Sequence, residues 1–192
     1  MLSVVIATQD SERALVPTLA ALVAGAVAGL IREVIVTDPG AGDGSVQIAD
    51  GAGCRVMISP ESRGARLAAA AGAARAPWLL FLRPGAVPDA TWIDETSRFI
   101  EEAARANRAD DRAAVFRRPA SAFRPTVVEA LALLHEALLA RPGPDQGLLI
   151  AKSFYDRLGG HRPDLAEPES DLIRRLGRRR TMLLRAGVLT AR

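Results

Sequence analysis

The chain has 192 residues, 49% of them hydrophobic and 24% charged. That is enough to bury a sizeable core and too apolar for a disordered chain. A single cysteine, Cys54, excludes a disulfide framework and any multi-cysteine metal site, and fits a reducing, cytoplasmic compartment. The net charge of +3 hides an asymmetry. No acid follows Asp171, but seven arginines do: Arg174, Arg175, Arg178, Arg179, Arg180, Arg185 and Arg192. The other 18 basic residues face all 22 acids. A basic end on a mildly acidic body points to an anionic partner such as a diphosphate, an acidic membrane face or nucleic acid. The alternative is a solvated helix face in an arginine-rich chain, since Lys152 is the only lysine. Aromatic residues make up 4% and the basic stretch has none. That argues against a base-stacking platform, so no nucleic-acid partner is expected.

In chain order, Leu2–Ile6 reads as a first strand and Asp10 or Ser11 as the cap of a helix carrying Leu15, Leu19, Leu22 and Val23 at helical spacing. The uncharged stretch Ala14–Ile31 approaches the length of a membrane span. Pro17 and a high Ala and Gly content favour a buried helix and loop there. No basic region precedes an apolar stretch at the N-terminus, so no signal peptide is expected. Glu33–Thr37 is a second strand, Ser45–Gly51 a short helix and Cys54–Ile58 a third strand. A polar loop, Ser59–Gly64, leads to an alanine-rich helix over Arg66–Arg75. Trp78–Leu82 is a fourth strand, ending in Arg83-Pro84-Gly85. Four short apolar strands alternating with helices predict a parallel, doubly wound half. Right-handed crossovers place all four strand ends on one edge.

The second half reads less regularly. A helix is expected from Pro88-Asp89 to about Arg105, then a charged patch and a strand over Ala113–Phe116, pairing antiparallel at the sheet edge. Thr126–Ala140 reads as an amphipathic helix, Gly147–Ala151 as a strand and Ser153–Leu158 as a short helix. Glu169–Arg179 is a final helix and Thr181–Leu184 a last strand. His135-Glu136 has no second histidine at helical spacing, so it reads as a helix-face pair rather than a metal site. His161 reads as a plain loop residue.

The stretch EVIVTDPGAGDGS, from Glu33, carries the most chemistry. Three β-branched residues make a buried parallel strand, and Pro39 and Gly40 turn the chain back. Open α/β sheets bind ligands outside the carboxyl ends of their strands. Asp38 sits at such an end, where its carboxylate can accept hydrogen bonds from a ribose or a base edge. Asp43 is read as the N-cap of the next helix.

The order of these motifs resembles the family 2 glycosyltransferases, which have the A-type nucleotide-sugar fold. The resemblance covers nearly the whole chain. It rests on LSVVIAT at Leu2, EVIVTDPGAGDGS at Glu33, RGARLAAAAGAARAPWLLFLRPG at Arg63, DQGLLIAKSFYDRLGG at Asp145 and ESDLIRRL at Glu169. It implies one α/β domain with a Rossmann-like, mostly parallel sheet flanked by helices. Residues 1–87 would form a nucleotide-binding half and 88–192 an acceptor-side half. It implies Thr8 and Asp38 as contacts to the nucleoside and Arg63-Gly64 in a loop facing the nucleotide. Glu169 and Asp171 fall in the segment carrying the catalytic base, and Asp145-Gln146 on the acceptor side; His161, read above as a plain loop residue, lies near that side. The implied partners are a UDP- or GDP-linked sugar and a carbohydrate or lipid-linked acceptor of the cell-envelope polysaccharide kind. The arginine-rich C-terminus would then make peripheral contact with the inner membrane face.

One departure stands out. Arg83 and Gly85 occupy the positions of the family's metal-binding aspartate pair, which makes a poor site for Mg or Mn. A permanently charged guanidinium matches phosphate oxygens, so one reading has Arg83 offset the leaving diphosphate instead, with Arg66 or Arg192 assisting; the other has Arg83 as a surface-loop arginine in a domain that lost catalysis. For Glu169 the alternative is a helix N-terminal charge that complements the dipole. Two function classes follow: a sugar transferase, or a catalytically silent module of the same fold that binds a nucleotide or partner. A nucleotidyltransferase fits less well, because Ala7–Ser11 lacks a glycine- and lysine-rich phosphate loop.

Overall fold

The computed structural model describes residues 1–40, 42–118 and 142–191. The expected helix over 126–140, His135-Glu136 and Arg192 lie outside them. Strands β1 (Leu2–Ala7), β2 (Ile31–Asp38), β3 (Arg55–Ile58) and β4 (Trp78–Leu82) are joined by helices α1 (Glu12–Val27), α2 (Ser45–Gly51) and α3 (Arg63–Ala73). β1 pairs parallel with both β2 and β4, and β2 pairs parallel with β3. Every residue of β1 and β4 is buried, as parallel strands covered on both faces require. The predicted parallel half is therefore present, with its four carboxyl ends on one edge.

Beyond β4 the sheet becomes mixed. A short strand β5 (Ala86–Pro88) and helix α4 (Trp92–Arg105) precede β6 (Ala113–Arg117), β7 (Leu148–Ala151), α5 (Lys152–Arg157), α6 (Pro168–Leu176) and β8 (Thr181–Thr190). The strand order is β3-β2-β1-β4-β7-β6-β8-β5. β6 is antiparallel to β7 as expected, but it is not at the edge, because β8 pairs with it in parallel on its other side. β8 runs six residues past the expected Leu184, since its second half pairs with β5. α4 starts at Trp92, because Pro88 is still in β5 and Asp89 accepts hydrogen bonds from Thr91. α6 stops at Leu176, before the expected Arg179, because Gly177 takes a positive φ of 72°.

Two caps correct the sequence reading. The Ser11 side chain bonds Gln9 rather than the first turn of α1. Asp43 does that work from the neighbouring loop, between β2 and α2. Its carboxylate accepts the Ser11 and Glu12 N–H groups and also the N–H and hydroxyl of Ser45, so one side chain holds the starts of α1 and α2. These bonds, led by that from the Ser45 hydroxyl, hold the Asp43 carboxyl below its usual range. No helix among the described residues is long and apolar enough to cross a membrane, and Ala14–Ile31 is divided between α1, a turn and the start of β2.

Candidate active site

Two polar clusters form where the parallel strands end. In the first, Thr8 follows β1 and Asp38 closes β2, and both are fully buried. The Thr8 hydroxyl donates to Asp38 Oδ2 at 2.6 Å, and the Gly40 N–H donates to Asp38 Oδ1 at 2.7 Å. Arg66, buried under them on α3, donates Nη1–H to the carbonyls of Thr8 and Thr37. Burial and the nearby Arg63 lower the Arg66 pKa, and the Asp38 charge opposes them. In this conformation the Asp38 carboxylate is engaged by Thr8 and Gly40. A ribose or base edge reaches it only if the turn after β2 moves.

The second cluster centres on Glu169, in the first turn of α6. Its Oε1 accepts from Arg63 Nε at 2.8 Å and from Arg83 Nε at 3.3 Å, and it is ion-paired with Arg63 Nη2 at 2.8 Å. Burial pushes the Glu169 carboxyl up, but the two guanidiniums outweigh it and hold the carboxyl below its usual range. Arg83 also donates to Glu167 Oε2 at 2.8 Å and to Asp145 Oδ1 at 3.3 Å. Burial acts against the Arg83 charge, yet Glu169 and Glu167 raise its pKa on balance.

Backbone contacts aim both arginines. Arg63 is the first residue of α3, not part of the preceding loop, and Nη1 bonds the Ala7 carbonyl at 3.0 Å. Ser62 caps α3 by accepting the Ala65 N–H and donates its own hydroxyl to the Pro163 carbonyl. A Cβ at Gly64 would stand 2.1 Å from the Arg162 carbonyl oxygen, so the loop before α6 packs directly on the helix that carries Arg63. Arg83 is fixed through Gly85, whose φ is +89° and whose N–H bonds both the Ala14 carbonyl and the Thr18 hydroxyl.

A small, partly open hollow with about 10 Å³ of free space adjoins this cluster, walled by Leu67, Phe81, Leu148 and Ile173 and by the polar residues Arg83, His161 and Glu169. Glu169 Oε2 and His161 Nε2 are both buried without a hydrogen-bond partner. A larger hollow of about 370 Å³ lies between α1, α2 and β2. It is almost wholly apolar, and burial pushes the Cys54 thiol on its wall up to about 11, so it offers no reactive group.

The sequence-expected residues are thus divided. Glu169, Arg63, Arg83 and Asp145 come together, while Thr8 and Asp38 form a separate pair. Asp171 points away from Glu169 and takes Arg174 and Arg175, each at 2.7 Å. Arg175 in turn bonds the carbonyls of Leu158 and Gly160, so Asp171 braces the turn before His161. Gln146 is spent on the backbone: it accepts the Gly143 N–H and donates to the Phe116 carbonyl. Sequence reading undervalued His161. The available signal was Tyr155, six residues earlier across the Gly159-Gly160 turn.

Solved structures superpose on this arrangement over nearly its whole length. The mannosyltransferase PcManGT from Pyrobaculum calidifontis, in complex with GDP-Man and Mn2+, matches with a TM-score of 0.70 at 14% identity, over 95% of this chain and 55% of that one. TarS from S. aureus in complex with UDP-GlcNAc matches at 0.70 and 17% identity, over 100% and 58%. The fold is that of the A-type glycosyltransferases. Glucosyl-3-phosphoglycerate synthase from Mycobacterium tuberculosis, in complex with Mn2+ and UDP-glucose, matches at 0.68 and 17% identity, over 100% and 71%. The chain therefore spans a little over half the length of the first two. Its sequence matches no protein-family model and no curated protein.

Within this A-type fold the residues present do not suit a hard cation. Where the resemblance puts carboxylates, the chain has a guanidinium and a glycine. The acids around Arg83 are already its ion-pair partners, and among the described residues no three acidic, histidine or cysteine side chains converge as metal ligands.

Proposed function

We propose that this chain moves a sugar from a UDP- or GDP-linked donor to a carbohydrate or lipid-linked acceptor, with Glu169 as the base. The observation that carries this reading is Glu169 itself: a buried carboxylate held by Arg63 and Arg83 at the carboxyl edge of a parallel sheet, in a fold shared with nucleotide-sugar transferases. In the reaction a C–O bond forms between the acceptor oxygen and the anomeric carbon. The bond from that carbon to the diphosphate oxygen breaks, and its electron pair leaves with the diphosphate. The acceptor proton passes to Glu169.

Arg83 takes the part of the cation by turning from Asp145 and Glu167 to the diphosphate. Its departure also removes a positive charge from Glu169, whose pKa then rises and makes it a better base. Thr8 and Asp38 hold the nucleoside once the turn after β2 yields. Arg178, Arg179 and Arg180 are exposed between α6 and β8, and in this reading they rest on an acidic membrane face.

The second reading is a silent module of the same fold that binds a nucleotide. It is favoured by Arg83 already having three acidic partners. A thermal-shift panel of UDP, GDP, UDP-glucose and GDP-mannose, with EDTA or Mn, tests binding, because a ligand of the folded state alone raises the melting point. The proposal expects a rise that survives EDTA. No rise with any nucleotide overturns both readings, and nucleotide binding without turnover supports the second.

A further inference from the structure

His161 is buried, yet the transfer chemistry outlined above leaves it unused. Its ring sits against Phe81, with centroids 4.7 Å apart in an edge-on arrangement, and Phe81 stacks on Tyr155. The Tyr155 oxygen lies 2.9 Å from His161 Nδ1 and also accepts the His161 backbone N–H at 3.0 Å. These two contacts decide the tautomer. With one lone pair taken by the backbone N–H, the phenol satisfies its own proton by donating to Nδ1. The imidazole then carries its proton on Nε2. The opposite tautomer would strand the buried phenol proton and leave a bare Nε2 lone pair with no donor among the described residues. Burial keeps the phenol protonated, with its pKa raised to about 12. It also keeps the imidazole neutral, its pKa lowered to about 4 although Glu169 opposes the shift.

Two of the residues lining the cavity each hold a buried polar atom with no protein partner, the donor His161 Nε2–H and the acceptor Glu169 Oε2. About 10 Å³ is room for a single water-sized group. A hydroxyl satisfies both atoms at once: its oxygen accepts from Nε2–H and its proton points to Oε2. An ammonium has no lone pair for Nε2–H, and an ether has no proton for Oε2. We infer that His161 and Glu169 together form a one-hydroxyl site, filled by water at rest and by the attacking hydroxyl of an alcohol acceptor during transfer. The acceptor half of this inference rests on the transferase reading; the site itself does not. His161 orients the hydroxyl, and Tyr155 is a positioning residue that fixes the tautomer.

Long-range proton–nitrogen NMR of the 15N-labelled protein tests it first, with the His161 signals assigned by their loss in His161→Gln. The Nε2–H form is expected at pH 7, unchanged to about pH 5, and Tyr155→Phe should weaken that preference. A crystal structure of the unaltered protein should hold one water between Nε2 and Oε2, about 3 Å from each. An Nδ1–H form, titration near 6.5, or direct contact between the two atoms overturns the site. In turnover of UDP-glucose or GDP-mannose, His161→Phe should lower kcat about 10- to 100-fold at unchanged donor KM, while His161→Gln, which keeps a donor, stays within about threefold. Equal losses in both variants overturn the donor role. The expected tautomer and water in a protein that turns over neither sugar uphold the site and favour the silent module over the transferase.

Discussion

Asp38 and Glu169 are both buried carboxylates at the carboxyl edge of the sheet, and they are held in opposite ways. Asp38 takes a hydroxyl and a backbone N–H, and its oxygens knit β1, β2 and the following turn together. Glu169 takes two guanidiniums on one oxygen and leaves the other buried without a protein partner, in a residue that lines a small cavity. The first arrangement suits holding a shape. The second keeps charge and a spare acceptor where a reaction can use them, and its ion pairs can be traded for those of an incoming diphosphate. The difference separates a carboxylate whose two oxygens both meet donors of the protein from one with an unpartnered oxygen, the oxygen that the proposed transfer would use.

That contrast can be broken in several ways. The largest effect expected is on Glu169→Gln, which should cut donor turnover about 10²- to 10⁴-fold and also lower the urea midpoint, because Arg63 and Arg83 lose their charged partner. Equal loss of turnover in Asp38→Asn would erase the distinction. Asp38→Ala should instead cost about 1–3 kcal/mol of stability, because the Gly40 N–H loses its acceptor and the Thr8 hydroxyl keeps only the longer bond to the Thr37 carbonyl; urea unfolding at neutral pH measures this. Gly64→Ala should cost about 1–3 kcal/mol and reduce turnover as well, since the new methyl group pushes the Arg162–Pro163 loop away from Arg63. A change in stability alone would mean that this packing does not aim the arginine.

The smallest effect is a slope with pH. His161 is neutral when folded and has a pKa near 4, against 6.5 in the unfolded chain. Its contribution to stability is therefore full above 6.5 and is lost as pH falls towards about 4. Glu169, depressed below 4.5, contributes fully above 4.5 and loses its contribution as pH falls further. Unfolding measured from pH 7 to 3 should show the first slope vanish in His161→Phe and the second shrink in Arg83→Ala.

The parallel half was legible because each of its strands is an unbroken apolar run ended by a turn signal, and because βαβ connections leave little choice of topology. The mixed half was less so. Ala113–Phe116 is as apolar as an edge or a central strand can be, and only the long partner β8 decides between them. β5 is three residues with a proline, too short for any period to register. Within the site, the acidic and arginine positions followed from motif order. The pairing of Glu169 with Arg63 spans 106 residues, and no local pattern encodes it. His161 looked like a loop residue because its burial depends on Tyr155 and Phe81 closing over it.

Turnover of UDP-glucose and GDP-mannose, with EDTA or with Mn, by the unaltered protein and by Arg83→Ala tests the central claim most directly. A guanidinium that replaces the cation predicts turnover that persists in EDTA and collapses in Arg83→Ala. Turnover that requires Mn, or that survives the loss of Arg83, would contradict it.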